Sequence, residues 1–531
     1  MGGQHQRDPT PRRAGGERGI RTLQAAISVA QASDCEPQGE GGVGAEGQGR
    51  VVRRAGWLLA AHAAATAARW CLYALLVTLP VWRHRVLLHS PDEAVFYEFH
   101  DIIFYTNDLI WLGVLGAWLL SAVLGTIGGR PRRLRAGPPL LAVGLAALVL
   151  LALASLVTSV SSRYTAYALL RLAMLAGLYL AVLDLRPSPW ATGAAISGGI
   201  ALEAAIALPQ FALGHWLGLK RLGESPFQPD WPGTAVVFLG GQRWSRAYGW
   251  TQHPNMLGGC LMFFLLLLVG YYLVMAADLF PGNPGRRTKI VAEAVALGAI
   301  GMGLATLFVS YSRSAWLGTV AGSAVIVMLS RVGRRTATPD RRALVALGGV
   351  ASLCVAVFVA TNWSALAGRA GLTVQGTEIR SVEERVSLAG GALALIAQRP
   401  WLGVGLGNFS TALYRMARDS VSAYPIYQPV HNVLLLAAAE LGVAGATVWA
   451  WLLLAPWIQL WVRRNDLRDT RGLALRLAGP SAALAALGIV SFFDYYVWTS
   501  HQGHLMMWLA WGLWAGVWTS AKSQDGVGYA A

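Results

Sequence analysis

Long apolar stretches separated by short polar segments dominate the chain. Each stretch is roughly 17 to 25 residues long, the length at which an α-helix crosses the hydrocarbon core of a bilayer. The pattern therefore predicts about twelve membrane-spanning helices. Their expected positions are 66–82, 104–127, 138–158, 164–184, 189–212, 255–278, 290–310, 315–330, 343–361, 431–461, 477–494 and 504–521.

The composition supports this fold class. Hydrophobic residues make up 55% of the 531 positions and charged residues only 13%. A water-soluble protein could not bury that much apolar surface, so we expect an all-α polytopic membrane protein. The predicted regions are a disordered cytoplasmic tail at 1–54, helices 1–9 within 55–361 with an external loop at 213–253, an external capping loop with short helices at 362–430, helices 10–12 within 431–521, and a cytoplasmic tail at 522–531.

The net charge of +16 does not indicate a nucleic-acid partner, because the basic residues are distributed by topology. Arginines collect in alternate loops between the predicted spans, whereas the intervening short loops hold few. The arginine-rich loops are 130–135, 286–289, 331–342 and 463–476. Such an asymmetry places these loops and both termini on the cytoplasmic side. The expected location is the plasma membrane.

Three motifs lie where predicted outer loops enter membrane helices. They are RAYGWTQHPNMLGG at 246–259, YSRSAWLG at 311–318 and HNVLLLAAAELGVAG at 431–445. The topology puts all three on the outer face, although the charge count used none of them. Between the last two, 382–419 predicts an amphipathic helix, a Pro-Gly turn and a second short helix that cover the membrane surface. We therefore expect one shared site on that face.

These motifs resemble the O-antigen ligase and O-antigen polymerase superfamily of bacterial membrane glycosyltransferases over roughly 190–450. The resemblance rests on R-x2-G-x3-HPN-x2-G at 246–258, SRSAWLG at 312–318, Arg385 with RPWLGVGLGNF at 399–409, and HN-x9-G-x2-G at 431–445. It implies transfer of a glycan from an undecaprenyl-pyrophosphate carrier to a lipid, glycan or protein acceptor, on the outer face. It also implies a fold like that of the polytopic GT-C-type glycosyltransferases that use lipid-linked sugars.

Transfer from a lipid pyrophosphate requires stabilisation of the leaving group and removal of a proton from the acceptor hydroxyl. Arg246 and Arg313 are the predicted catalytic clamp, since a guanidinium binds phosphate oxygens bidentately. The outer loops hold no Asp-x-Asp pair, so neither a metal site nor a cofactor is predicted. His431 is the predicted general base. The alternative is that the arginines anchor spans in lipid phosphate and the histidine caps a helix.

Five further residues are predicted to bind substrate at this face, and several have a structural alternative. A salt bridge to Glu383 or Glu384 is the alternative for the first of them, and helix capping for the two at the start of the sixth span. The five are Arg385, Asn432, His253, Asn255 and Asp494.

Charged residues inside the predicted spans are expected to be paired. Arg171 and Glu203 lie at similar depth on adjacent spans, which predicts an ion pair between them. Glu440, nine residues beyond His431, is predicted to fix a buried arginine.

Two other functions compete with the ligase interpretation. A polysaccharide polymerase differs only in its acceptor, and some relatives are described as bicarbonate transporters. A transporter would carry its charges near the bilayer midplane on broken helices. Here the motif charges gather at one face under a capping loop, which favours an enzyme.

Overall fold

The computed structural model describes residues 45–90, 95–132, 134–239, 241–280, 285–369, 376–417 and 427–525. Within them the chain is mainly helical, with two short hairpins. The helices are α1 Ala45–Thr78, α2 Thr106–Ile127, α3 Pro139–Ala154, α4 Ser162–Leu185, α5 Pro189–Leu213, α6 Pro254–Ala276, α7 Arg286–Val309, α8 Arg313–Val332, α9 Arg341–Arg369, α10 Gly376–Gln398, α11 Phe409–Ala417, α12 Val433–Val462, α13 Arg464–Asp469, α14 Leu473–Val490, α15 Tyr496–Thr499 and α16 His501–Asp525. The strands are β1 His84–Leu88, β2 Ile102–Tyr105, β3 Val236–Leu239 and β4 Gln242–Ser245.

Eleven of the described helices are long and apolar enough to cross a membrane, namely α1 to α9, α12 and α14. This confirms an all-α polytopic membrane protein. The twelfth predicted span, 504–521, lies in α16. That helix is not among the eleven, because its four tryptophans and the polar residues at both its ends lower its mean hydropathy.

Several predicted boundaries differ from the structure. Helix α1 already includes 45–54, so the predicted tail is wrong over those residues, while 1–44 and 526–531 lie outside the described residues. Helix α9 continues to Arg369, past the predicted end of its span at 361, with a non-helical Asn362 inside it. Within expected loops, β1 pairs with β2 and β3 with β4, both antiparallel.

By internal contacts the chain divides into two compact units. The described part of the first contains 45–68 and 116–132, from α1, α2 and the following turn. Leu58 packs there against Gly128, where a Cβ would lie 2.8 Å from a Leu58 methyl carbon. The second unit, 69–115 and 134–531, contains every candidate site residue.

The second unit is organised around α6, which is almost completely buried. Small residues allow α6, α8 and α14 to approach closely, as is usual for helices packed in a membrane. A Cβ on Gly270 of α6 would lie 2.5 Å from Gly479 Cα of α14, and one on Gly322 of α8 would lie 2.9 Å from the Ala482 carbonyl. This packing fixes the starts of α6 and α8, where two of the motifs lie.

Helix α12 is broken at Gly442, whose φ of 75° and ψ of 179° lie outside the helical region. The segment 399–408, between α10 and α11, packs into the break. Val404 N–H donates to Ala439 O at 2.9 Å, Gly405 N–H to Glu440 O at 3.0 Å, and Val443 N–H to Pro400 O at 2.8 Å. The loop backbone therefore satisfies groups that the interrupted helix leaves unpaired.

Candidate functional site

The Arg246 side chain joins two of the sequence motifs. Arg246 directly follows β4 and is only 6% exposed. Its Nε donates to the Ser310 carbonyl at 2.7 Å, and its Nη2 donates to Asn255 Oδ1 at 2.8 Å. The guanidinium thus bridges the turn between α7 and α8 to the start of α6.

Asn255 extends this chain to a third segment. Its Nδ2 donates to Asp494 Oδ2 at 2.9 Å. Asp494, in the turn after α14, is 4% exposed, and its Oδ1 accepts from the backbone N–H of Tyr495 at 2.9 Å. The structure therefore brings three predicted site residues, Arg246, Asn255 and Asp494, into one hydrogen-bonded row.

His431 lies beside this row, two residues before α12. Its ring packs edge-on against Tyr495, with centroids 4.9 Å apart. Nδ1 is buried and has no hydrogen-bond partner among the described residues. Burial lowers the pKa of His431, and Arg385 lowers it further, whereas Asp494 and Glu384 act in the opposite direction. The imidazole is therefore mainly neutral at pH 7 and retains a lone pair for a proton.

Helix α10 supplies charge to the same place. Arg385 is half-buried, and its positive charge lowers the pKa of His431. The opposing influence of Glu384 comes from the adjacent position on α10. The sequence had connected Arg385 to the site only through the family resemblance.

Arg313 is the first residue of α8 and is exposed. The preceding turn holds Tyr311 at a φ of 49°, and the buried Tyr311 hydroxyl donates to Asn362 Oδ1 at 2.7 Å. A Cβ on Gly258 would lie 2.7 Å from Ser312 Cβ, so this turn packs directly on α6. Arg313 therefore lies three positions after Ser310, whose carbonyl oxygen accepts the hydrogen bond from Arg246.

Two predicted binding residues act as helix caps. His253 Nδ1 accepts from Asn255 N–H at 3.1 Å at the start of α6. Asn432 Oδ1 accepts from Leu435 N–H at 3.1 Å at the start of α12. Both contacts satisfy amides that have no partner within the helix. A role for His253 or Asn432 in binding substrate stays a prediction.

A cavity lies one hydrogen bond away from the 246–259 motif. Its empty volume is about 1020 Å³, part of it open to solvent, and it lies between α4, α16 and the 406–410 segment. Glu98, in the turn between β1 and β2, lines it and is 7% exposed. Gln252 Nε2 donates to Glu98 Oε1 at 2.8 Å, which links the cavity to the 246–259 motif. Burial raises the pKa of Glu98 to about 7, an effect that the Gln252 hydrogen bond opposes.

No sequence motif indicated that Glu98 lies at this site. It stands in a short segment between two spans, with no motif around it, and only the folded chain brings it to Gln252. Its neighbour Phe99 packs against Tyr495, ring centroids 5.7 Å apart, and Tyr495 in turn contacts His431.

The predicted Arg171–Glu203 ion pair is wrong. Arg171 Nη1 instead donates to both carboxylate oxygens of Asp108, at 2.8 Å, and Nη2 contacts His501. Glu203 Oε2 accepts from Trp250 N–H at 3.2 Å. Matching depth on adjacent spans did not bring the two side chains together, because each faces a different neighbour.

The predicted arginine partner of Glu440 is also wrong. Glu440 Oε2 accepts from Gly407 N–H at 2.9 Å and from Trp498 Nε1 at 2.8 Å, and Oε1 accepts from Phe409 N–H at 3.3 Å. Its carboxyl group therefore fastens the inserted loop beside the break in α12. Gly442 makes that loop possible, since a Cβ there would lie 2.1 Å from the Trp401 carbonyl oxygen.

Residues 297–450 match the family model of O-antigen ligase. This match confirms the predicted resemblance, and it includes the 312–318, 399–409 and 431–445 motifs. It begins after the 246–258 motif, which the Arg246–Ser310 hydrogen bond ties to the matched segment. No curated protein matches the chain.

The family match supports a membrane protein that transfers glycans in the manner of a ligase or polymerase. The eleven spans together with this match indicate a multi-pass protein of a bacterial inner membrane.

Proposed function

We propose that the protein is an O-antigen ligase-like glycosyltransferase. It moves a glycan from an undecaprenyl-pyrophosphate carrier to an acceptor hydroxyl at the outer face of the plasma membrane. The observation that carries this proposal is the placement of His431, with an unpaired ring nitrogen, beside the Arg246–Asn255–Asp494 row. The row brings a guanidinium close to this histidine, which supports a base and a phosphate-binding cation in one site.

In this proposal the acceptor oxygen attacks the anomeric carbon of the carrier-linked sugar. A carbon–oxygen bond forms there as the bond from that carbon to the pyrophosphate oxygen breaks. The acceptor proton passes to His431, and the electron pair leaves with the carrier pyrophosphate. Arg313, Arg246 and Arg385 stabilise the charge on that leaving group. The mechanism needs no divalent cation, because arginine supplies the positive charge.

Two predicted binding residues position these groups. Asn255 holds Arg246 through its Oδ1 and Asp494 through its Nδ2. Asp494 in turn favours the protonated imidazole of His431, which is the form that the base reaches when it accepts the proton. The row therefore connects the cation that binds the leaving group to the base that activates the acceptor.

One observation favours the competing transporter function: α12 is a broken helix with Glu440 beside the break. In transporters the backbone groups freed at such a break coordinate the substrate or ion. Here Val404 and Gly405 donate hydrogen bonds to the freed carbonyls, and the Glu440 carboxyl is occupied by amides and an indole. These contacts support a structural role for the break in α12 and favour the enzyme over the transporter.

The test is reconstitution of the purified protein into vesicles that contain carrier-linked glycan and an acceptor glycolipid, with EDTA present. We expect the glycan to move from carrier to acceptor at a rate that added Mg²⁺ does not change. Transfer that stops in EDTA and returns with Mg²⁺ would rule out the arginine mechanism. Bicarbonate uptake without any transfer would support the transporter instead.

A further inference from the structure

The cavity that Glu98 lines contains polar groups that its own walls do not satisfy. Ser410 lines it and is 2% exposed, and its Oγ has no hydrogen-bond partner among the described residues. His501 also lines it, is 3% exposed, and has an unpaired Nε2. Glu98 Oε1 accepts from Gln252, and no described residue bonds its second oxygen. Buried polar atoms without partners are rare, so the two on this cavity, Ser410 Oγ and His501 Nε2, require an explanation.

The three groups together define the chemistry of a ligand. His501 Nδ1 faces the Arg171 guanidinium and must accept from it, so His501 Nε2 carries the proton and donates. The Glu98 carboxylate oxygen accepts a hydrogen bond, and the Ser410 hydroxyl can either donate or accept one. A phosphate supplies only acceptors and an ammonium supplies only donors, so neither can pair with both the His501 donor and the Glu98 acceptor. A hydroxyl group is both a donor and an acceptor.

The remaining walls are largely aromatic. Tyr105, Tyr164, Tyr167, Trp449, Trp498 and Trp508 all line the cavity. Ligand sites commonly combine such apolar walls with a few polar groups that fix orientation. A sugar ring presents apolar C–H faces and a rim of hydroxyls, which matches this combination.

We propose that this cavity binds sugar rings of one of the two reactants, with their hydroxyls bonded to Glu98, Ser410 and His501. The inference rests on the proposed function, because it takes both reactants to be glycans. The Glu98–Gln252 hydrogen bond connects the cavity to the 246–259 motif, and the Phe99–Tyr495–His431 ring contacts connect its wall to the base. The sugars come either from the carrier-linked donor or from the acceptor.

The test measures kcat and the KM of each reactant for Glu98→Gln and Ser410→Ala. In Glu98→Gln the amide oxygen keeps the Gln252 bond, so an NH₂ group replaces the acceptor in the cavity. Ser410→Ala removes one hydroxyl with little change of volume. We expect the KM of one reactant to rise at least about fivefold in both variants, with kcat within about twofold, since each change removes one hydrogen bond.

The matched control is Glu203→Gln, a buried carboxyl that does not line the cavity. Its KM values should match those of the wild type. A raised donor KM assigns the cavity to the carrier-linked glycan, and a raised acceptor KM assigns it to the acceptor glycan. Unchanged KM values in folded Glu98→Gln and Ser410→Ala, alongside normal wild-type transfer, would overturn the cavity proposal and leave the function intact.

If the wild type transfers nothing, equilibrium binding of labelled oligosaccharide freed from its carrier separates the two claims. Binding by the wild type that Glu98→Gln weakens would retain the sugar cavity and reject the transferase. Equal binding by both, or binding by neither, would reject the cavity.

Discussion

The reactivity assigned to His431 follows from what surrounds its ring. Tyr495 covers one edge, burial favours the neutral imidazole, and Arg385 adds to that effect. Asp494 opposes it, so the imidazolium that forms when the base takes a proton is compensated. A histidine in such surroundings is neutral before the reaction and tolerates charge during it.

Arg246 gives a prediction about hydrogen-bond geometry. Arg246→Lys keeps the charge, but one ammonium cannot reach both Ser310 O and Asn255 Oδ1 along the directions that the guanidinium uses. We expect kcat/KM to fall about tenfold or more, the equivalent of one hydrogen bond from a charged group. The control is Arg243→Lys, three residues earlier and exposed, which should match the wild type. Equal kinetics for both variants would remove Arg246 from the site.

The Arg171–Asp108 pair gives a prediction about stability. Asp108→Asn leaves a buried guanidinium without its counter-charge, and Arg171→Met leaves a buried carboxylate, so each should cost roughly 3–5 kcal/mol. The double variant should lose clearly less than the sum, because no unpaired charge remains. Thermal unfolding in detergent provides the measurement.

The control for that cycle pairs Arg171→Met with Glu203→Gln. Because Arg171 and Glu203 bond to different neighbours, their effects should add. Additive losses for Arg171 and Asp108, or strong coupling between Arg171 and Glu203, would contradict the assigned partners.

At the scale of elements, the break in α12 determines how the 399–409 segment is held. The first part of α12 begins two residues after His431, the candidate base. The loop that packs into the break has amides that donate hydrogen bonds to Glu440. Glycines in membrane helices usually permit close approach of a neighbouring helix. The structure shows close approach at Gly442, but to the Trp401 carbonyl of a loop rather than to another helix.

Gly442→Ala should therefore be strongly destabilising. The positive φ is unfavourable for alanine, and the new Cβ would collide with the Trp401 carbonyl. Strain of this kind costs about 1–3 kcal/mol before the collision is counted. The control is Gly348→Ala in α9, where a Cβ meets nothing within 4 Å and helix propensity favours alanine. Equal melting temperatures for the two variants would show that the break does not depend on Gly442.

At the scale of the whole molecule, the sequence predicted the spans well and the side-chain partners poorly. Apolar runs of membrane length reflect the bilayer, so they are visible without tertiary structure. The partner of a buried charge depends on helix rotation, which the runs do not encode, so Asp108 was missed and Glu203 wrongly chosen. The 246–259 motif indicated Arg246 and Asn255 as site residues, and the end of the eleventh predicted span indicated Asp494, but the sequence did not predict the order in which they bond.

The most direct test of the central claim is the pH dependence of glycan transfer in the wild type and in His431→Gln. Because the pKa of His431 is lowered, the wild-type rate should be constant near pH 7 and fall only below the ordinary histidine value of about 6.5. His431→Gln should lose at least about 100-fold in kcat and lose that pH limb, as expected for removal of a general base. The control is His84→Gln, which replaces a half-buried histidine in β1. It should retain both the wild-type kcat and the decrease in rate at low pH. Near-normal transfer by folded His431→Gln, with the same pH limb, would contradict the account.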